Sequence, residues 1–434
     1  MSSLSGRIFL ARLGLLAGST GTVQMLRLLT QLALARLLGI DAFGVYAAAL
    51  AVASVIEAAS VARSGEIHQN RLPRRFASGE TLTLGRLERE ARSAEAVWTL
   101  GAWGLSLAAA AAYGWFIDPE IAAAIALAGL AVPALYGYGL AKSVILLSAD
   151  FKALARAEVA GGIGGIAATL CGAVLAGAWG AIVGYVIAAL VRNLAVTVTA
   201  RTVLRRTPVC NFVSDARDPA AKDKGKDTSQ LQSFLGAGLT SLYQSIDIII
   251  LSLLGTPAAV AVYRIAKTLA RLGGDVFEPF WKAARPEWLA RLYDHDRQGL
   301  LRLTIRVMAP MLAVAVLSVT ATLHLAPWFL GYAYGPGFAS AATPLAVLIL
   351  GQASVQVLAG WAPFWVIAGG RFGRRNLILL ALCLSAGLPA TLVGTANPLL
   401  LAVCYATTQA IYALIWWALL LTAKMPARAD GQCC

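Results

Sequence analysis

Residues 156–204 read RAEVAGGIGGIAATLCGAVLAGAWGAIVGYVIAALVRNLAVTVTARTVL, two apolar runs with Arg156 and Arg201 towards the far ends and only Ala178 and Trp179 between them. A helix needs about 20 apolar residues to cross a hydrocarbon core of about 30 Å. The stretch is therefore too long for one span and suits two, 156–178 and 180–204, joined by an uncharged turn. The same reading in both directions places further spans at 8–36, 42–64, 94–117, 120–148, 231–254, 257–281, 304–326, 340–368, 375–395 and 397–423. The composition agrees, with 59% hydrophobic residues, 13% charged residues and a mean hydropathy of +0.71.

The connections alternate in charge. Of 36 Lys and Arg residues, all but Arg27, Arg36, Arg192, Arg264, Lys267 and Arg271 fall on one side of such a twelve-helix arrangement. They occupy the amino terminus (Arg7, Arg12), 63–92, Lys142 to Arg156, 201–226, 282–306, Arg371 to Arg375, and the tail with Lys424 and Arg428. The opposite turns, such as Asp118 to Glu120, Gly255 to Pro257 and Gly331 to Ala339, hold none. The positive-inside rule then puts both termini in the cytoplasm, and the Ala- and Arg-rich usage suggests a bacterium with a GC-rich genome, so the expected location is a bacterial inner membrane. The net charge of +14 is spread over separate cytoplasmic pieces with no soluble domain to organise it, so it reads as topology and not as a nucleic-acid footprint. The first apolar run continues past the length of a signal-peptide core and is expected to remain as the first helix.

The longest polar interruption, Arg205 to Gln230, includes Lys222-Asp223-Lys224-Gly225-Lys226-Asp227 and has too few apolar residues to pack a core. It divides the chain into an N-terminal lobe of six helices (1–204), a linker (205–230), a C-terminal lobe of six helices (231–423) and a cytoplasmic tail (424–434). A short echo supports the division: Leu37-Leu38-Gly39 with Ala42 and Tyr46, and Leu253-Leu254-Gly255 with Ala258 and Tyr263. Both lie at predicted outer turns, so the halves share one orientation and are related by an axis along the membrane normal. The expected fold is all-α and polytopic, two six-helix bundles in pseudo-two-fold relation about a central cavity. Residues 79–92 and 285–303 mix Leu and Trp with charges at helical spacing. They suit either a helix at headgroup level or a solvated connector.

Charges inside a span cost about 2.5 to 3.5 kcal/mol each on insertion scales, so each needs a reason. Arg264, Lys267 and Arg271 fall at i, i+3 and i+7 of the eighth span, on one stripe. Asp275 and Glu278 are expected to continue that stripe towards the cytoplasm. The first span carries Gln24, Arg27 and Gln31 at the same spacing, with Arg12 nearer its cytoplasmic end. Glu57, Arg63 and Glu66 belong to the second, Asp247 to the seventh and Arg192 to the sixth. A cavity lined by these stripes favours an anionic ligand group, and Arg offers bidentate contacts to phosphate oxygens. The carboxylates would hold the cations when ligand is absent, or exchange H⁺ or Na⁺ as access alternates. Internal ion pairing without a ligand is the competing account, and Asp247 in particular could pair with Arg27 or Arg264.

Other motifs point to packing. Gly161-Gly162-Ile163-Gly164-Gly165 lies inside a span without a following Lys-Ser or Lys-Thr, which suits close helix contact and not a nucleotide. Six cysteines and three dispersed histidines show no metal-ligand spacing, and Cys433-Cys434 reads as a tail or a lipidation site. Pro133, Pro310, Pro344, Pro363 and Pro389 interrupt spans and could kink them. Trp98, Trp103, Trp115, Trp328, Trp416 and Trp417 suit interfacial anchoring.

The stretches Leu34-Ala35-Arg36-Leu37-Leu38-Gly39-Ile40-Asp41-Ala42-Phe43-Gly44-Val45-Tyr46 and Ser245-Ile246-Asp247-Ile248-Ile249-Ile250-Leu251-Ser252-Leu253-Leu254-Gly255 resemble the polysaccharide flippases. These are the O-antigen and exopolysaccharide branch of the multidrug/oligosaccharidyl-lipid/polysaccharide exporter superfamily. The turn Tyr334-Gly335-Pro336-Gly337-Phe338 fits as well, whereas Val260-Ala261-Val262-Tyr263 lacks the glycine usual before that tyrosine. The resemblance implies two lobes that move a polyprenyl-pyrophosphate-linked oligosaccharide to the outer leaflet, with glycosyltransferases and a polymerase as partners. It also implies no enzymatic activity of the chain's own and no cofactor beyond a coupling H⁺ or Na⁺. On that reading Arg27, Arg264, Lys267 and Arg271 receive the pyrophosphate, with Arg63 and Arg12 near the entrance, and Glu57, Asp247, Asp275 and Glu278 couple or gate. A drug exporter of the same superfamily, or a polymerase or ligase of polysaccharide assembly, are the alternatives. The short outer loops disfavour the enzymes. A flippase of peptidoglycan precursors is closer, but such proteins often have fourteen helices.

Overall fold

The computed structural model of the protein describes residues 25–26, 28–61, 84–148, 150–206, 236, 238–275, 277–369, 372–393 and 397–422. Every regular element among them is helical. In chain order these are α1 (Leu28–Val61), α2 (Leu84–Phe116), α3 (Pro119–Ala128), α4 (Ala131–Ala134), α5 (Tyr138–Leu147), α6 (Phe151–Arg206), α7 (238–243) and α8 (Ile246–Leu254). They continue as α9 (Pro257–Asp275), α10 (Glu278–Tyr293), α11 (Arg297–Tyr334), a 3₁₀ turn Pro336–Ala341, α12 (Ala342–Ala359), α13 (Ala362–Gly369), α14 (Phe372–Val393) and α15 (Pro398–Thr422). Among the described residues six helices are long and apolar enough to cross a membrane, or seven if the bent run from Pro119 to Leu146 is one span. The chain is a multi-pass helical membrane protein.

Two of those helices are double. α1 is interrupted at Gly39, whose φ of 74° is a left-handed conformation that a side chain would strain. α6 folds back at Ala176 and Gly177, where φ is −142° and 60°. Its arms then lie against each other with their glycines in contact. A Cβ on Gly172 would fall on the Gly180 carbonyl, and a Cβ on Gly161 would come within 2.9 Å of the Arg192 Cα. The run from Gly161 to Gly165 is thus a helix contact, with Gly164 against Val191 and Gly165 against Ala188.

Spans that read as single helices are broken elsewhere. The stretch 120–148 is divided into α3, α4 and α5, with Gly137 at φ 79°. The stretch 231–254 is broken at Gln244 and Ser245 before α8 begins. The span 257–281 ends at Asp275, and Glu278 opens α10 and does not extend the α9 stripe. The break after α12 has a visible cause: the Trp281 indole lies against Gly360 and donates its N–H to the Gln356 carbonyl at 2.7 Å. Residues 84–92 are helical but continuous with α2, so they form no separate surface helix.

The chain divides into two compact units, Met1–Ser241 and Leu242–Cys434. In unit 1, α5 and the two arms of α6 enclose a core of Leu135, Tyr138, Ile145, Leu154, Ala189 and Val196. In unit 2, α12 packs on α15, α9 and α11. Its larger core is aromatic. Trp288 of α10 is fully buried and stacks on Trp361 at 5.7 Å between ring centroids, with Trp365 and Phe364 edge-on. Trp416 also belongs here, 1% exposed and edge-on to Trp361, whereas Trp115 and Trp328 are exposed as interfacial residues are. The α10 segment therefore docks its apolar face on the protein's own core.

Candidate functional site

In unit 2 the break before α8 puts Asp247 in the first turn of that helix, where the helix dipole favours a carboxylate. Its Oδ1 accepts the Ile248 N–H at 2.8 Å. Both carboxylate oxygens meet Lys267 Nζ of α9 at 2.5 Å, and the Tyr263 hydroxyl donates to Oδ2 at 2.5 Å. Burial is nearly complete, with Asp247 1% and Lys267 8% exposed. The Lys267 ammonium also stands 4.2 Å from the ring centroid of Tyr405 on α15 and 6.0 Å from that of Tyr263. Tyr405 stacks with Tyr243 at 5.6 Å, and its hydroxyl accepts from Gln352 Nε2 at 3.2 Å. A buried ion pair stays ionised only when its charges keep polar partners; here α8 and α9 supply the hydrogen bonds and α15 sets a ring face over the ammonium.

A second cluster lies within unit 1. Glu158, on the first arm of α6, receives Arg192 Nε from the second arm at 3.0 Å and the Tyr138 hydroxyl of α5 at 2.5 Å. Lys142 Nζ approaches the same carboxylate at 3.5 Å. The Arg192 guanidinium lies 4.8 Å from the Tyr138 ring centroid. Glu57 of α1 accepts a hydrogen bond from the Tyr185 hydroxyl and is within electrostatic reach of Arg192. Next to this cluster Asn193 donates to the carbonyls of Ala134 and Tyr136, at 2.9 and 2.8 Å. Both carbonyls lie where the α4–α5 run is broken.

The cationic stripe of α9 is divided in its surroundings. Arg264 is half-buried, Lys267 is engaged by Asp247, and Arg271 is exposed. Arg264 and Arg271 both lie close enough to Lys267 to act on its charge. The partner of Asp247 is thus Lys267, one turn beyond Arg264. Arg12, Arg27 and Arg63 lie outside the described residues, and so does Glu66. Asp275 closes α9 and Glu278 opens α10. The sequence reading missed Glu158, Tyr138, Tyr263 and Tyr405. Glu158 is two residues from Arg156 and was absorbed into the cytoplasmic charge, and a tyrosine in an apolar span carries no mark of its partner.

No protein-family profile matches the chain, and no curated protein matches it by sequence. Solved structures do match along nearly all of its length. A structure titled lipid II flippase MurJ, in an inward closed conformation, superposes with a TM-score of 0.65 at 11% identity, covering 93% of this chain and 87% of that one. The eukaryotic MATE transporter AtDTX14 gives a TM-score of 0.53 at 12% identity, covering 94% and 95%. An inward-facing multidrug resistance MATE family transporter of the MOP superfamily gives 0.52 at 13%, covering 91% and 96%. The chain shares the fold of these lipid II flippase and MATE transporter structures. At these identities the likeness is one of architecture.

Proposed function

We propose that the protein is a flippase carrying a polyprenyl-pyrophosphate-linked oligosaccharide from the cytoplasmic to the outer leaflet by alternating access, for surface polysaccharide assembly in a bacterial inner membrane. The observation that carries this reading is the cationic stripe of α9, Arg264, Lys267 and Arg271, on a fold that resembles a lipid II flippase structure. Arg264 and Arg271, with Arg27, Arg63 and Arg12, are the proposed phosphate contacts. Lys267, whose charge Asp247 balances in the resting pair, is the stripe's third proposed contact and would reach the phosphate only when that pair opens. Glu57, Asp247, Asp275 and Glu278 are the proposed coupling or gating carboxylates, with H⁺ or Na⁺ as the coupled ion. The 1–204 and 231–423 lobes, the 205–230 linker and the cytoplasmic 424–434 tail complete the reading, with glycosyltransferases and a polymerase as partners.

The MATE likeness favours a second reading, a multidrug exporter. A cation-rich stripe repels the amphipathic cations such exporters handle, which is why the flippase comes first. The deciding experiment is deletion of the gene, followed by measurement of lipid-linked oligosaccharide in each leaflet. Accumulation facing the cytoplasm with loss of surface polysaccharide is the expected result. Accumulation facing outward indicates a polymerase or ligase step, and no accumulation together with greater sensitivity to cationic dyes indicates the exporter.

A further inference from the structure

The surroundings of Lys267 are those of a receptor for an organic cation. The carboxylate of Asp247 presents both oxygens to the ammonium at 2.5 Å, and the Tyr405 ring presents its face at 4.2 Å. The Tyr263 hydroxyl fixes the carboxylate, and the Tyr263 ring forms a more distant wall at 6.0 Å. Tyr405 is held in turn by Tyr243 and Gln352. Aromatic faces attract ammonium ions most strongly where water is excluded, and Asp247, Tyr263 and Tyr405 are 1%, 0% and 2% exposed. Hard alkali cations prefer a shell built of oxygens. Here carboxylate and phenol oxygens share the surroundings with two ring faces.

We infer that this cage in unit 2 is a binding site for a primary alkylammonium ion, kept filled by the chain's own Lys267, and that the tethered occupant bars organic cations from the unit. Beyond Cβ the side chain is Cγ, Cδ, Cε and the ammonium Nζ, close in shape to n-propylammonium. Truncation at Cβ therefore vacates a space matched to that ion and leaves Asp247 in need of a cation. The inference is independent of the transported lipid, since it concerns what unit 2 admits and not what the stripe of α9 contacts.

The test is thermal unfolding of the full-length protein in detergent, for wild type, Lys267→Ala and Lys267→Met, titrated with n-propylammonium chloride and in parallel with NaCl. The melting temperature of Lys267→Ala is expected to rise saturably with n-propylammonium and to stay flat in NaCl. Wild type, whose cage is occupied, and Lys267→Met, whose thioether fills the space, are expected to stay flat in both. A flat Lys267→Ala, an equal rise in NaCl, or a rise in wild type would overturn the inference. Should Lys267→Ala fail to accumulate in membranes, recovery of its yield by n-propylamine in the growth medium supports the inference. Failure in both media overturns it, whether or not the Asp247→Asn/Lys267→Ala double variant accumulates: if the double does, the amine cannot replace the lysine, and if it does not, the lysine acts through packing alone.

Discussion

Tyr263 and Asp247, sixteen residues apart on α9 and α8, are joined across the Gly255–Thr256 turn by a hydrogen bond of 2.5 Å from the phenol to Oδ2. The bond orients the carboxylate, so that Lys267 meets both oxygens and not one. Tyr263→Phe keeps the ring and removes the donor. Hydrogen bonds to charged groups contribute about 1.5–3 kcal/mol, so a loss within that range is expected in thermal or denaturant unfolding, with the protein still inserted at wild-type amounts.

Breaking the ion pair from one side costs more than removing it from both. Asp247→Asn leaves a buried ammonium without its counter-charge, for which a loss of about 3–5 kcal/mol is expected. The Asp247→Asn/Lys267→Met double variant should recover a large part of it. A double as unstable as the sum of the single variants would mean that the two residues act separately, and melting curves of all four proteins read this directly.

The α6 hairpin makes a steric prediction. Gly172 and Gly180 approach so closely that a Cβ on either meets the other's backbone, whereas Gly101 faces open space. Backbone cannot yield as a flexible side chain does, and overpacking costs about 1–3 kcal/mol or more. Gly172→Leu and Gly180→Leu are expected to reduce accumulation in membranes sharply, and Gly101→Ala to leave it unchanged.

Asn193 holds the broken α4–α5 run by donating to two carbonyls, those of Ala134 and Tyr136. Replacing it with Leu, of similar size, removes both hydrogen bonds. Each contributes about 0.5–1.5 kcal/mol, so Asn193→Leu should lower the melting temperature more than Thr197→Val. Thr197 donates to Asn193 and is lost with less consequence.

For transport, the triple replacement of Arg264, Lys267 and Arg271 by Ala is expected to abolish movement of the lipid-linked oligosaccharide while the protein remains in the membrane. Arg271→Ala alone, at the exposed end of the stripe, isolates the phosphate contact from the buried pair. Normal transport by the triple variant would remove the stripe from the mechanism.

The helices were legible because the bilayer demands long apolar runs, and the stripe on α9 because intramembrane charges are few and fall at helical spacing. The partner of Asp247 was not legible. It depends on the break at Gln244 and Ser245, which carries no proline or glycine, and on α15 bringing Tyr405 over the ammonium. The aromatic core escaped for a related reason. Trp416 and Trp328 both occur near the end of an apolar run, where tryptophan suggests an interface, and only the packing of α10 separates them, one 1% and the other 71% exposed. Glycine was read correctly at 161–165 because close approach is its commonest use inside a membrane helix.

The α6 hairpin also bears on how the chain enters the bilayer. Its arms are joined without a polar loop, and the Nε of Arg192 on the later arm meets Glu158 on the earlier one at 3.0 Å, thirty-four residues away. An arginine arriving alone at that depth would oppose partition into lipid. Paired across the hairpin, the two charges enter as a neutral dipole, with backbones already in contact at Gly161. Entry of the two arms as a folded pair is therefore less costly than entry of either helix by itself.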